Sequence, residues 1–72
     1  MNYIVIEAQT TGETTALLTS VHATQNEAES KYHLVLSAAA VSTLDRHSAT
    51  LLDETGYCLK SQCYEHEAAS NE

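Results

Sequence analysis

Two cysteines and a histidine fall within a short span of GYCLKSQCYEHE, residues 56 to 67: Cys58, Cys63 and His66. Such residues serve as a disulfide, as ligands of one metal ion, or as ordinary strand positions. Cys58 and Cys63 are five apart, so on one continuous strand they point to opposite faces and lie roughly 16 Å apart. A disulfide needs Cα atoms within about 7 Å, which excludes an intrachain bridge on such a strand.

A metal site needs partners from elsewhere in the chain. The hairpin ending in this stretch turns around Glu54, Thr55 and Gly56, which sets His47 opposite Gln62 or Cys63. His47 and Cys63 are then cross-strand neighbours, and His66 can fold back if the strand ends near Tyr64. His33 lies roughly 13 Å before the end of the preceding helix. About four strand residues, at ~3.3 Å each, bring the returning chain back to the level of His47 to Ala49. Three imidazoles and a thiolate suit tetrahedral zinc. The expectation is a closed structural zinc site of His33, His47, Cys63 and His66, with Cys58 a buried small hydrophobe and His22 structural or exposed. The competing reading makes each of them a hydrogen-bonded interface residue, since no tight C-x-x-C pair is present. A catalytic zinc would need a carboxylate base in a pocket, and no nucleophile elbow, phosphate loop or carboxylate pair stands out. The sequence does not read as an enzyme.

The elements that must position these residues are legible from periodicity. NYIVIEAQT alternates Ile4, Ile6 and Ala8 against Tyr3, Val5 and Glu7, the pattern of a half-buried strand. A turn around Gly12 leads into TALLTSVHAT, its hairpin partner. TQNEAESKYHLVLSAAAVSTL reads as a helix: Thr24 is the N-cap, Glu27 completes a capping box, and Glu29 favours the first turn. Ala28, Tyr32, Val35, Leu36 and Ala39 share one helical face. RHSATLLD and GYCLKSQCY are two more strands, with Gly56 able to take the left-handed position of a short hairpin. The expected fold is α+β, a single domain over residues 1–66 in the order ββαββ, with a four-stranded antiparallel sheet and one helix on one face. Its expected core includes Ile4, Ile6, Leu18, Tyr32, Leu36 and Leu51. Residues 67–72 read as a polar, frayed tail.

The chain has 72 residues, 43% of them hydrophobic and 18% charged, with no Trp, Phe or Pro. That composition suits one small globule with a light core, for which a metal staple is useful. Three basic residues against ten acidic ones give a net charge of −7. Lys31, Arg46 and Lys60 are too few to neutralise phosphates, so direct nucleic-acid binding is excluded, and an anionic membrane surface is disfavoured. Association with a basic protein surface is what this charge favours. MNYIVIEAQ reads directly into a strand, without a basic and apolar leader, which points to a cytoplasmic protein with reduced cysteines.

NEAESKYHLVLSAAAVS, followed by a His-containing strand and CYEH, resembles a group of small uncharacterised proteins from Firmicutes, their phages and mobile elements. The resemblance covers residues 3 to 66, and KYH (Lys31, Tyr32, His33) and CYEH (Cys63 to His66) carry it; their recurrence implies a shared structural site. By size and charge the chain is also similar to type II anti-CRISPR proteins, which block an RNA-guided nuclease. That nuclease holds its heteroduplex in a positively charged channel. A carboxylate-rich surface of Glu7, Glu13, Glu27, Glu29, Asp53 and Glu54, extended by Glu65 and Glu67, could compete for it. The resemblance therefore implies a phage or mobile-element inhibitor that binds a host protein, with a type II CRISPR nuclease as the expected partner. The alternative is a structural or accessory zinc-binding protein without such a partner.

Overall fold

The computed structural model describes residues 1–66, and the tail expected over 67–72 lies outside them. The element order is β1 (Tyr3–Thr11), β2 (Thr14–His22), α1 (Gln25–Ala40), β3 (Arg46–Asp53) and β4 (Cys58–Glu65). The four strands form one antiparallel sheet in the order β2-β1-β3-β4, so the two hairpins join through their first strands. The helix lies on one side, chiefly over β3 and β1.

Local chemistry explains the boundaries. Gly12 and Gly56 have φ of 61° and 92°, the left-handed conformations their two hairpin turns require. Thr24 is extended, and its Oγ1 accepts from the Glu27 backbone N–H at 3.2 Å. Replacing Thr24 by Ala is expected to cost about 1 kcal/mol in chemical denaturation, because an orphan helix N–H loses its acceptor. The helix ends at Ala40 rather than running on to Leu44 as its periodicity suggests. Val41 leaves helical ψ; its N–H donates to the Ala38 carbonyl and the Ser42 N–H to the Ala39 carbonyl, each at 3.3 Å. The β-branched Val41 and Thr43 are poor helix formers, and the chain must turn here to start β3.

Val5, Ala28, Tyr32, Val35, Ala49 and Leu51 make the buried cluster, with Tyr3, Leu36 and Leu59 packed on its margin. The helix face expected from the sequence is therefore the one buried, with Leu36 half-buried. The expected face of β1 is reversed. Val5 and Glu7 pair across the sheet with Leu51 and Ala49, under the helix, while Ile4 and Ile6 pair with Leu52 and Thr50 on the other side. Leu18 is on the helix side but 50% exposed. Ile4, Ile6 and Leu18 thus leave the expected core, Val5 and Ala49 enter it, and Ala28, Val35 and Ala39 are buried as the helix face implied.

One irregularity in β4 decides the register of everything after it. Leu52 pairs with Cys58 but Leu51 pairs with Lys60, so Leu59 is an extra residue, a β-bulge. The turn sets one register as far as Cys58, and the bulge shifts the rest of β4 by one. A one-residue shift exchanges the two faces of a strand.

Candidate functional site

The bulge separates the expected metal ligands. His47 pairs with Tyr64, and Cys63 pairs with Ser48. Adjacent residues on a strand point to opposite sides, so His47 lies under the helix while Cys63 is exposed on the uncovered side. His33 is exposed on the helix with its ring edge against Tyr32, at 5.5 Å between centroids. His66 instead hydrogen-bonds through Nε2 with the Ala39 carbonyl at 2.9 Å, closing the chain onto the last helical turn. His33, His47, Cys63 and His66 are therefore not brought to one point. Among the described residues no three His, Cys, Asp or Glu side chains form a group placed to hold a metal ion.

Cys58 also departs from expectation. It is exposed, not buried, and its pairing with Leu52 puts it on the same uncovered side as Cys63. The two are separated by four β3 positions, roughly 13 Å. An intrachain disulfide remains excluded, through separation rather than through opposed faces.

What His47 does find is Glu7. Its Nε2 lies 2.6 Å from Glu7 Oε2, and an ionised carboxylate only accepts, so Nε2 donates. Gln9 Nε2 donates to the same oxygen at 2.9 Å. His47 is 4% exposed, and its Nδ1 is buried without a protein partner. Burial alone would push the Glu7 carboxyl up. The hydrogen bonds from Gln9 and His47, with the electrostatic pull of His47 and Lys31, outweigh it and hold the carboxyl below its ordinary range. Glu7 also lines a small cleft with Val5, Leu18, Thr19, Ser20, Lys31 and Val35, where α1 draws away from the edge strand β2. Further along β2, Ser20 Oγ is 2.8 Å from His22 Nε2. Sequence reasoning missed both pairs. The Ser20–His22 spacing of two on one strand was readable, whereas Glu7 and His47 are 40 residues apart.

The expected carboxylate surface divides into three parts. Glu7 is taken up under the helix. Glu13 lies in the β1–β2 turn, at the end of the domain where the helix finishes. Glu27, Glu29, Asp53 and Glu54 all lie at the opposite end, where Tyr3 pairs with both His22 and Asp53 and where α1 begins. Glu29 contacts Lys60 at 3.4 Å. Its carboxyl is lowered first by the Gln25 side-chain hydrogen bond and then by the Lys60 charge. Asp53 closes the β3–β4 turn, accepting from the Thr55 hydroxyl and from the backbone N–H groups of Thr55 and Tyr57, and these bonds hold its carboxyl low. Glu54 accepts from the Asn2 backbone N–H.

The second coherent surface is the side of the sheet away from the helix. Strand pairing brings Ile4, Ile6, Ala8, Leu17, Val21 and Leu52 to it. Leu17 and Val21 are 66% and 65% exposed. Hydroxyl pairs separate these apolar residues: Thr10 with Thr15 at 2.9 Å, and Thr50 with Ser61 at 3.2 Å. The charged pair Arg46 and Glu65, 3.6 Å apart, sits at one corner. No helix among the described residues is long and apolar enough to cross a membrane. Compared with protein-family models, with curated proteins and with solved structures, the chain matches none of them.

Proposed function

We propose that this protein works by binding another protein and obstructing it, without chemistry of its own, and that its target is a type II RNA-guided nuclease. The observation that carries this reading is the gathering of Glu27, Glu29, Asp53 and Glu54 at one end of the domain, where Lys60 is taken up by Glu29. In a protein of net charge −7, such an end is attracted to a basic channel and orients the approach. The hydrogen bonds that hold Glu29, Asp53 and Glu54 restrict their side chains before binding, which lowers the ordering cost of the contact. The His47–Glu7 pair supports the non-enzymatic reading, since the imidazole is packed beneath the helix and serves as a structural bond.

Cleavage by purified nuclease, guide and target, with the protein in molar excess, tests the proposal. Cutting is expected to be suppressed, and Glu27→Arg with Glu54→Arg is expected to weaken the suppression by at least about tenfold through lost charge complementarity. Undiminished cutting in the presence of the unaltered protein removes the nuclease as target. Salt-sensitive capture of a different basic protein from host lysate would keep the acidic end and change the partner.

A further inference from the structure

We infer that the uncovered face of the sheet is a dimer interface, occupied by the same face of a second copy of this chain. The sheet carries large apolar side chains on both sides, and those on one side have no helix over them. Beneath the helix the sheet contributes Val5, Ala49 and Leu51 to the buried cluster, with Tyr3 and Leu59 at its margin. On the other side lie Ile4, Ile6, Leu17, Val21 and Leu52, five large aliphatic residues on three adjacent strands. A sheet with two apolar faces is the middle of a layered structure, and one of its layers is absent from the single chain.

Area and charge select a second copy as the missing layer. Four strands about 4.8 Å apart and about eight residues long, at ~3.3 Å per residue, present a face of roughly 500 Å². Two such faces stacked together remove roughly 1,000 Å² or more from water, which reaches the lower bound of a specific interface. The face is uncharged at its centre, and of its charged residues Arg46 and Glu65 already contact each other at the corner. The other described carboxylates lie under the helix, on the helix or in the end loops, so two copies can stack without bringing them face to face. A basic partner, by contrast, would find no counter-charge at the centre of this face. Hydroxyl groups at Thr10, Thr15, Thr50 and Ser61 are donors and acceptors at once and suit a self-complementary contact. Stacked sheets also bring Cys58 and Cys63 of one copy against the equivalent face of the other, where reduced thiols add apolar surface.

This inference is independent of the nuclease reading, which uses the acidic end, and the two respond oppositely to salt. Screening weakens attraction to a basic partner but strengthens association of two copies that each carry −7. The test is the molar mass of the unaltered chain by sedimentation equilibrium under reducing conditions, from about 1 to 200 µM, at low and at about 0.5 M salt. The expected result is a dimer that dissociates on dilution and is tighter at high salt. Leu17→Lys with Val21→Lys, at two positions already exposed in the single chain, is expected to give a folded monomer by circular dichroism and to raise the dissociation constant at least about a hundredfold. A monomeric mass at the highest concentration in high salt overturns the proposal and leaves the face to some other partner. A dimer that the double variant leaves intact also overturns it, since the contact would then be elsewhere. If the double variant loses its secondary structure, Thr19→Lys replaces it, with the same two outcomes.

Discussion

Replacing His47 by Ala is expected to destabilise the fold by about 2–4 kcal/mol, from the lost hydrogen bond to a charged carboxylate and the space left in the core. The loss has two sources. Glu7 Oε2 loses its 2.6 Å donor in a site that is largely shielded from water, and the space left beside Ala49 and beneath the helix is unfilled. A domain of this size has only a few kcal/mol of stability, so the single variant should be mostly unfolded at 37 °C. Equilibrium urea denaturation measures the effect. Glu7→Leu combined with His47→Leu is the informative companion: an apolar pair of similar volume should recover most of the loss. If His47→Ala costs under about 1 kcal/mol, the pair is not sealed as the structure has it. The same pair sets part of the acid sensitivity. The folded-state carboxyl of Glu7 is lowered from its ordinary value of 4.5, so its stabilisation is fully present above that value. That contribution declines as pH falls below 4.5 and is gone once pH is below the folded value. Glu29 and Asp53 are shifted in the same direction. Comparing the acid limb of the unaltered chain with that of Glu7→Gln isolates the Glu7 share, and the variant's limb should be shallower.

Leu51→Ala is expected to cost about 2–5 kcal/mol, since Leu51 is one of the two largest side chains with essentially no exposure. It sits on β3 between Val5 and Lys60, where the sheet's central strands meet the helix. The vacated space is bounded by main chain on one side and by Tyr32 and Val35 of the same cluster on the other, so little collapse can fill it. For a domain of 60–100 residues each kcal/mol lowers the melting temperature by about 4–8 °C, so a fall of more than about 10 °C is expected in a thermal scan. Leu18→Ala is the control. Leu18 is chemically identical and 50% exposed, and its loss should stay within about 1 kcal/mol. Equal costs for the two would mean that the helix covers a different part of the sheet.

The element order and the buried helix face were readable because both rest on short-range chemistry. Thr24 caps a helix wherever it meets the Glu27 N–H, Gly12 and Gly56 supply the positive φ of two turns, and Ala28, Tyr32, Val35 and Ala39 share a face through the helical period alone. Alternation in β1 also reported a strand, but not which side of it is covered. Ile4 and Ile6 are more apolar than Tyr3 and Val5, and Glu7 makes the second set look solvent-facing. Glu7 faces inward because His47 satisfies it, and that partner belongs to a strand the local sequence knows nothing of.

The fate of the expected zinc ligands was decided at a single residue. Turn chemistry at Gly56 was legible and places Cys58 beside Leu52, but the bulge at Leu59 is set by packing. Leu59 reaches the margin of the core while Lys60, beside it, contacts Glu29 on the helix, so two successive residues are held on the helix side. The remainder of β4 then shifts by one position, and Cys63 moves to the face away from His47. The sequence by itself determined one helix, four strands, two tight turns and an acidic chain with few cations, because propensity, capping and charge are local or additive properties. Tertiary structure decided the covered side of the sheet, the Glu7–His47 bond and the separation of Cys63 from His47. Each of these depends on which residues distant in the chain are pressed together, and a one-residue change in a strand's register exchanges the two faces of that strand.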